Sequence, residues 1–118
     1  GWVESRVALL GDAAHPMMQY FAQGACMAME DAVCLAHALS AEADVERALR
    51  AYQSGRVLRT ARVQLQSRAI GEHIYHPAGA HAALRNSVMG AKSQAEWRDT
   101  LAWIYAYAPG GNGLEMSE

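Results

Sequence analysis

Asp12 stands at the end of the apolar run Val7-Ala8-Leu9-Leu10, directly after Gly11. A carboxylate in that position can accept hydrogen bonds from the hydroxyls of a sugar or polyol, each charge-assisted bond being worth about 1.5–3 kcal/mol. Eleven residues later comes Gln23-Gly24-Ala25-Cys26-Met27-Ala28-Met29-Glu30-Asp31, which reads as a glycine-fronted helix start. A helix N-terminus carries a partial charge of roughly +0.5, and a glycine there lets backbone amides approach a ligand closely. The amides of Gly24, Ala25 and Cys26 would suit the negatively charged edge of a reduced ring. A strand end with an acid, a loop and a helix start can together grip an extended cofactor that carries hydroxyls and an electron-poor ring. Taken singly, Asp12 reads as a turn or cap residue and Gly24 as plain chain entry; the two in this order favour the ligand.

Between the two grips lie His15, Pro16, Gln19 and Tyr20. His15 reads first as a hydrogen-bonded structural histidine and second as a proton carrier. Gln19 and Tyr20 are polar residues amid Met17, Met18 and Phe21, and divide evenly between substrate contact and a solvent-facing loop. His73, His76 and His81 invite a metal reading, but Pro77 intervenes and no carboxylate or Cys is well placed, so no metal site is assigned. Arg56, Arg59 and Arg62 share a helical face and read as a solvated or salt-bridged face before a phosphate site. The methionines read as core or pocket lining.

The elements that must position these groups fit a chain of 118 residues, enough for one domain at most. Half of it is apolar (52%), and the net charge of −2 gives no field that would draw in nucleic acid or an anionic membrane. Cys26 and Cys34 are eight helical residues apart, roughly 12 Å of rise, too far to bridge each other. Two reduced thiols point to the cytoplasm. No apolar run reaches the roughly 20 residues that span a bilayer. Val7 to Leu10 reads as a short inner strand needing neighbours on both sides, and no second strand is convincing in the rest of the chain. The opening Gly1-Trp2-Val3-Glu4-Ser5 carries neither signal peptide nor initiator Met, so the chain is expected to be the C-terminal part of something longer.

Helical spacing predicts a helix from Gly24 to about Leu39, with Ala25, Ala28, Met29, Ala32, Leu35, Ala36 and Leu39 on its packing side. Asp44 can cap the next helix, which runs from Val45 to roughly Tyr75 as one piece, or as two broken near Ser54-Gly55. Its stripe is Ala48, Leu49, Tyr52, Val57, Leu58, Ala61, Leu65 and Ile70. His76-Pro77-Ala78-Gly79 stops it. Two shorter helices come next, Ala80 to Met89 and Gln94 to Tyr107, the latter with Trp97, Leu101, Ile104 and Tyr105 inward. Pro109 to Gly113 and the polar end read as frayed.

Leu10-Gly11-Asp12-Ala13-Ala14-His15-Pro16 followed by Gln23-Gly24-Ala25-Cys26-Met27-Ala28-Met29-Glu30-Asp31-Ala32 resembles the second flavin motif of single-component FAD-dependent aromatic hydroxylases. The likeness is greatest to the salicylate hydroxylase and 3-hydroxybenzoate 6-hydroxylase branch. Downstream, Tyr52, Arg56, Arg59, Arg62-Val63-Gln64, Ser67-Arg68, Gly71-Glu72, Tyr75-His76, Arg85-Asn86 and Leu101-Ala102-Trp103-Ile104-Tyr105 resemble the C-terminal part of that branch. The resemblance implies a mostly α fragment of an α/β, Rossmann-like FAD-binding monooxygenase, with one short inner strand followed by four or five helices. Residues 1–44 would be the C-terminal part of the FAD-binding domain and 45–118 a helical region packing on it. Gly11 and Asp12 would bind the ribitol of FAD, Pro16 would lie against the isoalloxazine, and Gly24, Ala25 and Cys26 would hold its pyrimidine edge. His15, Gln19 and Tyr20 would be the catalytic-side residues, near a small aromatic acid or phenol. NAD(P)H would reduce FAD, and a flavin hydroperoxide would hydroxylate the ring.

Where this sequence departs from the family is the Gly-x-Gly-x-x-Gly turn for the adenosine diphosphate of FAD, which it lacks. The missing N-terminal part of the same protein is therefore an expected partner, and the isolated piece is expected to be inactive. Dimers are common in the family, and a homodimer is among the expected assemblies. The main alternative is a truncated helical interaction module that keeps the motif as a relic. A further one is the same fold performing epoxidation or hydroxylating a non-aromatic substrate.

Overall fold

The computed structural model describes residues 1–109. The chain begins with a minimal antiparallel hairpin, β1 (Val3–Glu4) and β2 (Val7–Ala8), with Val3 opposite Ala8 and Glu4 opposite Val7. Ser5 turns it in the left-handed region (φ 51°), and Leu9 N–H extends the ladder to Trp2 O (2.8 Å). This corrects the single-strand expectation: β2 finds a partner inside the chain, four residues back. A two-residue strand is too short to show an alternating pattern, so β1 left no signature. The expected burial of this segment is not met either, since Val7 is 67% exposed.

Four helices complete the fold: α1 (Gly24–Ala41), α2 (Val45–Ile70), α3 (Gly79–Ala91) and α4 (Gln94–Tyr105). Asp44 caps α2 by accepting the Arg47 N–H at 2.8 Å, as its position suggests. Helix α2 runs unbroken through Gly55, where no atom presses on the missing side chain. A single helical glycine costs about 1 kcal/mol relative to alanine, less than the packing of so long a helix returns. A π-helical turn, Gly71–Tyr75, extends α2, and Pro77 lies just beyond it. Helix α4 begins with a capping box in which Ser93 and Glu96 satisfy each other's backbone amides. It ends at Tyr105, short of the expected Tyr107. The expected frayed end beyond Pro109 lies outside the described residues.

Helix α1 lies along α2, and the face between them is unlike the predicted one. The buried positions of α1 are Met27 and Asp31, with Gln23 buried just before it, whereas Ala25, Met29, Ala32, Ala36 and Leu39 from the predicted packing side face outward. On α2 the buried positions are Ala48, Leu49, Tyr52, Arg56, Thr60, Val63 and Ser67, while Val57, Leu58 and Leu65 are exposed. Met27, Val63 and Ile104 form the small apolar centre, with Met17, Phe21, Cys26, Leu101 and Trp103 packed against it. Each such side chain contributes about 1.5–3 kcal/mol on burial. Of the inward expectations on α4, Ile104 is buried but Tyr105 is 67% exposed.

Candidate functional site

Leu10 is extended, and the chain turns at Gly11, whose φ of +58° favours glycine. A Cβ there would also stand 3.2 Å from the Ala28 Cβ, so glycine lets the turn press onto α1. Gly11 O accepts from the N–H groups of Ala14 and His15, both at 2.9 Å, closing a 3₁₀ turn over Gly11–Ala13. That turn holds Asp12 at the surface. Among the described residues its carboxylate accepts no hydrogen bond. It stands beside the start of α1: a Cβ on Gly24 would lie 3.7 Å from Asp12 Oδ1. The first N–H groups of a helix have no intrahelical acceptor, and Gln23 provides no side-chain cap. A free acceptor and free donors thus share one patch of surface, next to exposed Pro16.

Behind the turn is a buried ionic block. Asp31, fully buried, accepts the Gly11 N–H on Oδ2 (3.0 Å) and pairs with His15 Nε2 through the same oxygen. Its Oδ1 accepts from Arg56 Nε at 2.7 Å. Arg56, 0% exposed, also donates to Glu30 Oε2 (2.7 Å) and to Met27 O (3.3 Å). Arg59 grips Glu30 with two bonds of 2.7 Å and donates to the carbonyls of Trp103 and Ile104. Burial raises the Asp31 pKa, but the bonds from Arg56, His15 and Gly11 outweigh it and hold the carboxyl below its usual range. Burial lowers the Arg56 pKa, and its two carboxylate partners more than restore it. Tyr52 donates to Leu9 O (3.2 Å); burial, then the Asp31 charge, pushes its phenol up to about 12.

The loop 13–22 is fastened farther along α2. Gln64 donates to Pro16 O (2.8 Å) and Ser67 to Met18 O. Gln19–Phe21 forms a second 3₁₀ turn, closed by Ala22 in the left-handed region (φ 53°). Gln19 is exposed. The half-buried Tyr20 ring lies against Gly71 and Tyr75, with its hydroxyl 2.7 Å from His76 Nε2.

Residues 1–67 match the family described as the FAD binding domain. This chain belongs to that family. It is 54% identical over 104 residues to 3-hydroxybenzoate 6-hydroxylase 1 of Aquipseudomonas alcaligenes, a match covering 88% of this chain and 26% of the relative. It is 45% identical over 107 residues to the 3-hydroxybenzoate 6-hydroxylase of Klebsiella oxytoca (90% and 27%). To 3-amino-4-hydroxybenzoate 2-monooxygenase PtmB3 of Streptomyces platensis it is 43% identical over 115 residues (95% and 28%). The chain therefore spans about a quarter of the length of these relatives.

The residues of this FAD-binding domain fit one portion of FAD. A free carboxylate can accept from ribityl hydroxyls, and uncapped amides with no side chain at Gly24 can face an electron-rich ring edge. Of the residues expected at the site, the fold puts Asp12 and Pro16 at the surface and Gly24 half-buried beside Asp12, with Gly11 buried beneath the turn. His15 lies behind them, 1% exposed, its ring tilted at 55° to that of Trp2 with centroids 5.3 Å apart, and with Nδ1 unpartnered. Sequence reasoning left Asp31, Glu30, Arg56 and Arg59 without a role in the site. The signal was there: two adjacent acids on an Ala-rich helix, and two arginines three residues apart on the next. The salt-bridged reading of the arginine face holds, with Arg62 stacked over Trp103 at 3.9 Å. His73, His76 and His81 line an open cavity of about 710 Å³ between the π turn and α3. Among the described residues, no His, Cys, Asp and Glu are grouped as a metal site, and no helix is long and apolar enough to cross a membrane. Cys26 and Cys34 are free thiols.

Proposed function

We propose that this chain supplies the flavin-edge portion of an FAD- and NAD(P)H-dependent monooxygenase that hydroxylates a phenolic or benzoate-type ring. The observation that carries the reading is the free Asp12 carboxylate beside the uncapped start of α1, in a chain that resembles hydroxybenzoate hydroxylases over most of its length. When bound, FAD supplies the redox chemistry, taking hydride from the nicotinamide and activating oxygen for insertion into the ring.

The chain's own residues bind and orient. Asp12 accepts hydrogen bonds from the ribityl hydroxyls, and Gly11 sets its height. The Gly24, Ala25 and Cys26 amides stabilise negative charge on the pyrimidine edge. Pro16 lies against the flavin ring system, and Gln19 and Tyr20 face the aromatic substrate. His15 acts from behind, through Asp31, to hold the turn. Residues 1–44 form the cofactor-facing unit and 45–118 its helical support. The substrate class is a hydroxylated benzoic acid, as the names of the relatives indicate for those proteins. The free thiols suit a reducing compartment, the cytoplasm.

The test is Asp12→Ala in the flavin-containing protein, with FAD affinity read by fluorescence quenching. Loss of one charge-assisted bond predicts about 10- to 100-fold weaker binding. Unchanged affinity would remove the basis of the proposal. Substrate-stimulated NADH oxidation across a panel of hydroxybenzoates tests the reaction.

A further inference from the structure

We propose that Gly71 and His76, on the π-helical turn that ends α2, are positioning residues for Tyr20 and through it set binding of the aromatic substrate; this rests on the flavoprotein reading above. Gly71 is buried and helical, with φ −56° and ψ −50°. Nothing in that backbone conformation asks for glycine, which costs a helix about 1 kcal/mol relative to alanine. The Tyr20 ring supplies the reason, because a Cβ on Gly71 would overlap its Cδ2 and Cε2 edge.

The turn does a second thing. His76 N–H bonds to Gly71 O across five residues (3.1 Å), one residue more than an α-helical step, which rotates the downstream residues by about 100°. Tyr75 and His76 thereby flank the same ring, with centroids 5.4 and 5.2 Å from it, and His76 Nε2 reaches the phenol at 2.7 Å. Gln64 and Ser67 of α2 and Gly71 of the π turn that continues it meet Pro16, Met18 and Tyr20, every second residue of the loop. The first two contacts are to backbone carbonyls and accept any side chain. The third fixes a side chain, and that side chain is the phenol assigned to the substrate.

The test uses the FAD-loaded protein and four variants: Gly71→Ala, His76→Phe, His76→Gln and Tyr20→Phe. The His76 imidazole NMR signal should move in Tyr20→Phe, which reads the pairing independently of turnover. In steady-state NADH oxidation, Gly71→Ala and His76→Phe should raise KM for 3-hydroxybenzoate about tenfold, with FAD affinity within about twofold of the parent. His76→Gln, which can still bond the phenol, should recover most of the loss. Tyr20→Phe combined with His76→Phe should be no worse than either alone. A flavin-loaded His76→Phe protein with unchanged KM, or additive losses in the pair, overturns the inference. A parent that takes up no FAD or oxidises no NADH instead marks failure of the functional reading beneath it.

Discussion

At the Gly11 end of the segment that leads to α1, α2 presents Arg56, wholly buried between Asp31 and Glu30. At the Tyr20 end the same helix presents Gln64 and Ser67 to bare carbonyls, and the turn beyond it presents exposed His76. The first attachment is dry and charged; the second is neutral, with Ser67 buried and Gln64 and His76 nearer the surface. A buried ion that loses its partner has no water to fall back on, whereas a neutral bond near the surface is replaced by one to solvent. The end that carries Asp12 is therefore held rigidly, and the end assigned to the substrate can be adjusted at low cost.

The harshest way to break this contrast is Arg56→Met, which takes the buried guanidinium from Asp31 and leaves Glu30 to Arg59 alone. It should cost about 3–5 kcal/mol, measured by urea unfolding, and Arg56→Met with Asp31→Leu should recover part of that. A loss under about 1 kcal/mol would show that water reaches the block. Next in size is Gly11→Ala, strained by φ +58° and by the Ala28 methyl at 3.2 Å, for about 1–3 kcal/mol. At the neutral end, Ser67→Ala should cost about 1 kcal/mol and Gln64→Ala about 0.5 kcal/mol in the same measurement.

Acid sharpens the comparison further. The Asp31 carboxyl is held below its ordinary 3.8 in the fold. A depressed folded pKa contributes stability that is complete above the unfolded value and disappears as pH falls through the folded one. The parent should keep that contribution down to about pH 4 and lose it below. In Arg56→Met the desolvation remains while the largest opposing bond is gone, so the acid transition, followed by near-UV circular dichroism, should move to higher pH. The Gln64 and Ser67 variants should leave its midpoint in place.

The turn at Gly11-Asp12, the start of α1, the Asp44 cap and the stop before Pro77 were legible in the sequence because each is a local event governed by a few adjacent residues. The inward faces of α1 and α2 were not. Periodicity places alanines and leucines inside and charges outside, but here Asp31, Arg56 and Glu30 neutralise one another across the interface, and Met29, Leu58 and Leu65 face outward. Only the pairing of two helices reveals that, and pairing is not a property of either helix alone. The π turn is equally invisible, since its one extra residue is justified by a tyrosine some fifty positions earlier.

Arg59 reaches past Glu30 to the carbonyl oxygens of Trp103 and Ile104, and its guanidinium lies 3.7 Å from the centre of the Tyr107 ring. These acceptors are synthesised long after the turn they steady. Arg59 can pair with Glu30 as soon as α2 is made, and it gains the Trp103 and Ile104 carbonyls when α4 docks. One guanidinium on α2 thereby ties the acid of α1 to the end of α4.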